Sequence, residues 1–310
     1  MLQNLSKSIL ETVAYYDVLS YPMTSFEIWK YLLTRNSSVD ANGGEIRLSD
    51  VVKELEGSDL KKYIGQYHGF YFLKGRNELA DERIKRNKIS EEKFMIIRRV
   101  TNALRFVPFV RMVAVTGRVA MKNAKRKSDL DLLIVIEEGK IFTGRLLVTG
   151  LVHLIGKRRY GNKIKDRICL NHFITTGSRE IMLKDLFSSS EYSFMLPMFG
   201  QEEYDRFRKD NSWIRDYHCN YQPSGIANLK IIDDSWLSSF PRKIGEKILS
   251  AGTIEEKLGD WQKRRIENDP RTHQEGGMTV ADSKALIFLP HPQGPRIFEI
   301  FKDRIGKLLD

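Results

Sequence analysis

The chain has 310 residues, enough for two or three domains; hydrophobic residues at 41% and charged residues at 29% describe a folded globular protein and exclude long disorder. A formal net charge of +11 asks for an anionic partner, whether nucleic acid, a nucleoside triphosphate or another phosphorylated substrate. The two cysteines, Cys169 and Cys219, lie far apart without a C-x-x-C neighbour, which excludes a disulfide framework and fits the reducing cytoplasm.

Met1 to Asp17 is amphipathic and carries Glu11 and Asp17, unlike a signal peptide. Ser8 to Leu19 has apolar residues at helical spacing, and Pro22 breaks the run. Thr24 is the expected N-cap of a second helix, with Glu27 three residues on and the apolar face Phe26, Ile28, Trp29, Leu32 and Leu33. A polar loop over Asn36 to Glu45 leads to a third helix, Leu48 to Glu56, capped by Ser49. Tyr63 to Leu73 is two aromatic runs around His68-Gly69, a β-hairpin. Three helices and a hairpin is the order of a winged helix, placed at residues 1–75. Its third helix carries Asp50, Glu54 and Glu56 against Lys53 alone, and a helix for the major groove should be basic. DNA binding is therefore less expected than a packing or protein-interaction role.

Residues 76–108 are read as a linking helix, Glu78 to Leu104, with Arg83, Lys85, Arg86, Lys88, Arg98 and Arg99 on a solvated face and Pro108 beyond its end. Val110 to Val115 is a buried strand that runs into Thr116-Gly117 and the basic segment Arg118 to Lys127. Ser128-Asp129-Leu130-Asp131 then opens a second apolar strand reaching Ile136. Period-two geometry puts Asp129 and Asp131 on one face, ~7 Å apart along the strand. Two such carboxylates repel unless a cation lies between them, and oxygen ligands suit Mg²⁺ or Mn²⁺. Gly117 lets the backbone approach a phosphate, and the helix start after it offers unpaired amides.

This segment resembles the DNA polymerase beta-like nucleotidyltransferase superfamily: an apolar residue, Gly, Gly or Ser, about ten residues, then Asp-x-Asp/Glu. Gly117, the linker, Asp129 and Asp131 match it. The whole chain is similar to a group of bacterial proteins that join a winged helix to such a domain and a helical C-terminal region. Their site pattern is matched here by Gly117, Ala120, Asn123, Ser128, Asp129 and Asp131. The resemblance implies an α+β protein: winged helix, a central α/β domain with a mixed sheet at 109–178, and a mainly helical region at 179–310. It implies Asp129 and Asp131 as metal ligands and catalytic groups, with Gly117, Arg118, Asn123 and Ser128 at the nucleotide.

Two positions depart from the pattern. Arg118 replaces the Gly or Ser that helps hold the triphosphate, and Lys122 replaces a later glycine. A guanidinium can bind phosphate bidentately or fill the pocket, and both readings stay open. The superfamily's third carboxylate falls by position at Asn171, an amide that can ligate a metal but takes no proton. Asp166, before the strand, is a weaker candidate, and His172 faces away as a structural histidine. Lys157-Arg158-Arg159 and Lys163-Ile164-Lys165 could meet triphosphate or a polyanionic acceptor, although solvent exposure is the more ordinary role for each residue.

Beyond residue 178, Tyr192 to Tyr221 is helical and aromatic-rich, with Phe199, Tyr204, Phe207, Trp213 and Tyr217 as core. Ile244 to Arg265 is one helix, Glu267 to Gly277 a loop and Ile297 to Leu309 a final helix, serving packing, substrate choice or oligomerisation. No membrane partner is expected, because the most apolar stretch, Phe142 to Gly156, is interrupted by Arg145 and too short to span a bilayer. The expected activity is transfer of a nucleoside monophosphate from an NTP to an acceptor hydroxyl on a protein, small molecule or nucleic acid. The alternative is a non-catalytic, nucleotide-sensing or DNA- or protein-binding regulator on the same fold, which Arg118 and Asn171 favour.

Overall fold

The computed structural model describes residues 4–33, 46–222 and 230–309; the polar loop expected over Asn36 to Glu45 lies outside them. Helix α1 (Asn4–Val18) is followed by α2 (Ser25–Lys30), whose start is fixed by a reciprocal cap. The Glu27 amide donates to the Thr24 hydroxyl at 3.2 Å, and the Thr24 amide donates to the Glu27 carboxylate at 2.9 Å. The helix stops after Lys30, so Leu32 and Leu33 lie beyond it, and Leu33 bridges to His218. Helix α3 (Leu48–Glu56) has the expected bounds but a different cap: Asp50, not Ser49, accepts the Arg47 amide at 2.9 Å. Strands β1 (Ile64–Tyr67) and β2 (Phe70–Leu73) pair antiparallel around His68 (φ 52°) and Gly69 (φ 77°). Both turn residues are left-handed, the geometry that matches strand twist in a two-residue hairpin.

Helix α4 (Glu78–Leu104) also has the expected bounds, but its basic residues divide into two groups. Lys85, Lys88, Arg98 and Arg99 are exposed. Arg83 is buried, ion-paired to Glu27 at 2.8 Å and stacked 3.6 Å over the Tyr21 ring. Arg86 donates to the Ser20 carbonyl and to Asn123 Oδ1. Lys93 is 2% exposed and reaches Asp166 at 2.6 Å and the Ser128 carbonyl at 2.8 Å. The expected solvated face is thus half internal, because a buried charge must find partners and these three find them on neighbouring elements.

The sheet is six-stranded and mixed. β3 (Val110–Val115) is antiparallel to both β4 (Leu130–Ile136) and β6 (Leu196–Phe199); β4 is parallel to β5 (Ile168–Thr175); β8 (Ala285–Leu289) is antiparallel to β5 and β7 (Met278–Ala281). The β4–β5 crossover runs through α6 (Ile141–Leu154), as a parallel pair requires. Three of the six strands lie beyond residue 178, so the sheet is not confined to 109–178 and the last part of the chain is less uniformly helical than expected. The C-terminal elements are α7 (Leu186–Ser193), α8 (Gln201–Asp210), α9 (Trp236–Ile248), α10 (Gly252–Glu267) and α11 (Gly294–Leu309). The helix expected over Ile244 to Arg265 is thus two helices that meet around Ser250, and β6 interrupts the helical stretch expected from Tyr192 to Tyr221.

Alternation along β3 and β4 separates two cores. Val113, Val115, Leu130, Leu132, Ile134 and Ile136 join the larger core, which runs from Ile9 in α1 to Phe301 in α11. Met112, Ala114, Leu133 and Val135 face a smaller one built with Tyr192, Tyr204 and Phe207. The aromatic residues of α7 and α8 are therefore packing groups, as their spacing suggested. The N-terminal helices share the larger core: Tyr31 stacks on Phe194 with ring centroids 4.0 Å apart. No helix of the described residues is long and apolar enough to cross a membrane.

Candidate active site

The odd face of β4 ends at Asp131, and Asp129 lies two residues earlier at the strand's mouth. A carboxylate oxygen from each and the Cys169 Sγ lie within 4.8 Å of one another. Cys169 arrives by strand register: in the parallel pair Leu130 opposes Ile168 and Asp131 opposes Cys169. The next pair is Leu133 with His172, two residues along β4 against three along β5, a bulge that takes up Leu170 and Asn171. The third position at the carboxylates is consequently Cys169, and Asn171 falls in the bulge. Asp166 is committed to Lys93. His172 is buried against Tyr192, whose hydroxyl is 3.1 Å from its Nδ1, and burial pulls its pKa down to about 4, a structural histidine as expected.

Gly117 has φ +62°, and a Cβ there would stand 2.8 Å from Asp131 Oδ2. Glycine is needed twice over, for the backbone angle and for the space taken by the carboxylate. The Gly117 amide starts α5 (Gly117–Ala120) and faces the carboxyl of Glu191, on α7, whose pKa it lowers slightly. Glu191 is half-buried as a residue; burial, then Asp131 and Asp185, push its carboxyl up to about 7. Burial and the neighbouring Asp129 push Asp131 up to about 7 as well, while Arg159 and the Cys169 thiol oppose the rise. Burial and the two aspartates push Cys169 up to about 12. Burial is the largest cause of each of these shifts and a neighbouring carboxylate the next, and a bound cation would relieve the second.

One counter-charge is already present. Arg159 Nη1 lies 2.5 Å from Asp129 Oδ2 and 3.4 Å from Cys169 Sγ. Of the three basic residues Lys157-Arg158-Arg159, it is the one that reaches the carboxylates. Arg118 is exposed as a residue and makes no hydrogen bond or ion pair among the described residues; burial and Arg86 hold its pKa down while Asp131 raises it, which keeps its guanidinium within electrostatic reach of the carboxylates. Asn123 is 1% exposed and clasped between Arg86 and the Leu19 carbonyl. The Ser128 hydroxyl accepts the Lys125 amide at 3.0 Å. Both shape the loop that presents Asp129 and have their polar atoms engaged there, whereas the resemblance placed them at the nucleotide. Lys122, where the pattern has glycine, carries φ +54°, which explains the glycine and leaves lysine in a costly backbone region.

Glu191 and Cys169 are the functional candidates that sequence reasoning missed. Cys169 could have been found only from the parallel register, and Glu191 has no local signal, since it stands 60 residues beyond Asp131 and is joined to it only by packing of α7 against the sheet. A cleft of about 760 Å³ lies elsewhere, lined by Trp29, Lys30, Met121, Tyr204 and Arg208 among others, and none of Asp129, Asp131, Arg159 or Cys169 borders it. Comparisons with known families, with curated proteins and with solved structures find no match to this chain.

Proposed function

We propose that the chain is a metal-dependent nucleotidyltransferase that moves a nucleoside monophosphate from an NTP to an acceptor hydroxyl. The observation that carries this reading is the convergence of Asp129, Asp131 and Cys169 on one cation-sized locus beside the Gly117 amide. The two carboxylates offer a divalent ion hard oxygen ligands, with Arg159 and Arg118 as the neighbouring counter-charges and Cys169 as an adjacent, protonated thiol. Mg²⁺ or Mn²⁺ bound there supplies charge neutralisation for the triphosphate and acidifies the acceptor hydroxyl.

The remaining roles fall to the chain. Asp129 and Asp131 would hold the ion, and the Cys169 thiol would stand beside them, hydrogen-bonded to Asp131. Arg118 turns its free fork onto the phosphates, and Arg159 moves from Asp129 to the same anion. The acceptor oxygen attacks the α-phosphorus, the bond to the bridging oxygen of the β-phosphate breaks, and pyrophosphate leaves. The hydroxyl proton passes to Glu191, whose carboxyl sits at the boundary between its two protonation states near neutral pH. Catalysis is then mainly positioning and charge stabilisation. The first 75 residues are read as a winged helix used for packing, since α3 is acidic, and the protein is placed in the cytoplasm.

A second reading has one observation in its favour. Arg159 occupies Asp129 as a built-in cation, which would suit a nucleotide sensor without catalysis. Calorimetric titration of ATP, GTP, CTP and UTP with Mn²⁺, beside an Asp129→Ala/Asp131→Ala variant, separates the two. Metal-dependent binding lost in the variant, with pyrophosphate released on adding an acceptor, supports transfer. Metal-independent binding that survives in the variant supports the sensor, and no binding of any nucleotide overturns both.

A further inference from the structure

Helix α9 is built inside out. Its inward face is polar or small: Ser238 is fully buried and donates to Asp234 Oδ1 at 2.6 Å, and Arg242 donates to the Arg105 carbonyl at 2.7 Å and pairs with Asp234. Glu246 accepts from the Phe109 amide at 3.0 Å and from Arg111 at 2.7 Å. Gly245 presses on Pro108, where a Cβ would come within 2.6 Å of the ring. The outward face is apolar: Trp236, Leu237 and Ile248 are 71%, 68% and 70% exposed, Phe240 53% and Ile244 46%. Trp236 and Phe240 stack at 5.6 Å. Rolling the helix over would strand Arg242 and Glu246 without partners, so the orientation is enforced by the inward bonds.

Five large apolar side chains in one stripe are more than the scattered exposure of an ordinary surface and mark a docking face. The charge along it selects the occupant. Lys243 and Lys247 are exposed along one edge of the stripe, and from Trp236 to Ile248 the only acid is Glu246, which is engaged with Arg111. A second copy fits poorly, because a two-fold pairing of antiparallel helices brings identical edges together and sets lysine against lysine. We propose that α9 docks on an anionic phospholipid surface, lying in the plane of the interface. The aromatic and aliphatic side chains enter the boundary between headgroups and acyl chains, while the lysines keep their ammonium groups among the phosphates. The proposal concerns a peripheral contact and does not depend on the transferase reading.

The test is co-sedimentation of the full chain with phosphatidylserine–phosphatidylcholine vesicles and with pure phosphatidylcholine vesicles, at low and high salt. Salt-sensitive retention on the anionic vesicles alone is expected. Trp236→Ser/Phe240→Ser should weaken it about tenfold or more through lost apolar burial. Lys243→Gln/Lys247→Gln should weaken it on the order of thirty-fold, at about a kilocalorie per lysine near an anionic surface. All four positions are exposed, so the denaturation midpoints should hold and the variants remain interpretable. No retention at low salt, equal retention on both vesicle types, or unchanged retention in the variants overturns the proposal. Light scattering adds a last decisive outcome: a wild-type dimer that Trp236→Ser/Phe240→Ser converts to monomer would show that a second copy covers the face.

Discussion

Replacing Gly117 by alanine asks whether this glycine serves only the backbone or also the Asp131 carboxylate. An L-residue held in the left-handed region costs about 1–2 kcal/mol. Gly139 offers a matched control, since it has φ +73° and open space where a Cβ would go. Gly139→Ala therefore pays for the backbone alone. Gly117→Ala pays the same and also puts a methyl 2.8 Å from Asp131 Oδ2, inside the 3.4 Å at which ordinary contact begins. Asp131 must shift to make room, which disturbs the donor set it shares with Asp129 and Cys169. Urea unfolding should show similar losses of about 1–2 kcal/mol for both variants. Calorimetry with Mn²⁺ should show at least about tenfold weaker binding, roughly 1.4 kcal/mol, for Gly117→Ala alone. If the wild type binds Mn²⁺ and Gly117→Ala binds it equally well, the reasoning about that contact is wrong.

Other outcomes follow from the same geometry. Asp131 and Glu191 hold their protons more tightly folded than unfolded, so the stability they contribute is present in acid and lost as pH rises from about 4 to about 7. Asp131→Asn removes part of that dependence: its urea midpoint relative to wild type should rise between pH 5 and pH 8 without metal, and a constant difference would contradict the shift. Lys93→Met leaves Asp166 and the Ser128 carbonyl without their buried cation, a loss of about 1–3 kcal/mol by the same assay since Asp166 is part exposed; no measurable change would show that the ion pair is dispensable. Arg118→Ala should weaken triphosphate binding several-fold while leaving Mn²⁺ binding intact, because it is a cation without an ion-pair partner among the described residues and cannot ligate a metal; parallel loss of both would place it among the metal's supports.

What was legible in the sequence was local. Thr24 with Glu27, His68 with Gly69, and Asp129 with Asp131 each act through spacings of one to three residues, and the two aspartates do bring their carboxylates together although Asp129 precedes β4. What was not legible depended on partners brought from afar. The β5 bulge substitutes Cys169 for Asn171, and no count along a single strand reveals how a parallel neighbour slips. Glu191 reaches Gly117 across 74 residues. The charge of α4 looked like one class of residue in sequence, yet Arg83, Arg86 and Lys93 are internal while Lys85, Lys88, Arg98 and Arg99 are exposed, a division set by what packs over each turn. The orientation of α9 reverses the usual expectation because Arg242 and Glu246 find partners inward.

The packing of α1 against α11 bears on how the chain is made. Tyr15 meets Phe301 edge to face at 5.5 Å, and Asp17, 1% exposed at its side chain, is paired with both Arg76 and Arg304. During synthesis the first helix leaves the ribosome nearly three hundred residues before its packing partner. Until then its apolar side lacks part of its cover, and Asp17 has half its counter-charge. Completing the cover of α1 thereby waits on the synthesis of α11, and a nascent chain halted before residue 294 leaves Tyr15 without Phe301 and Asp17 without Arg304.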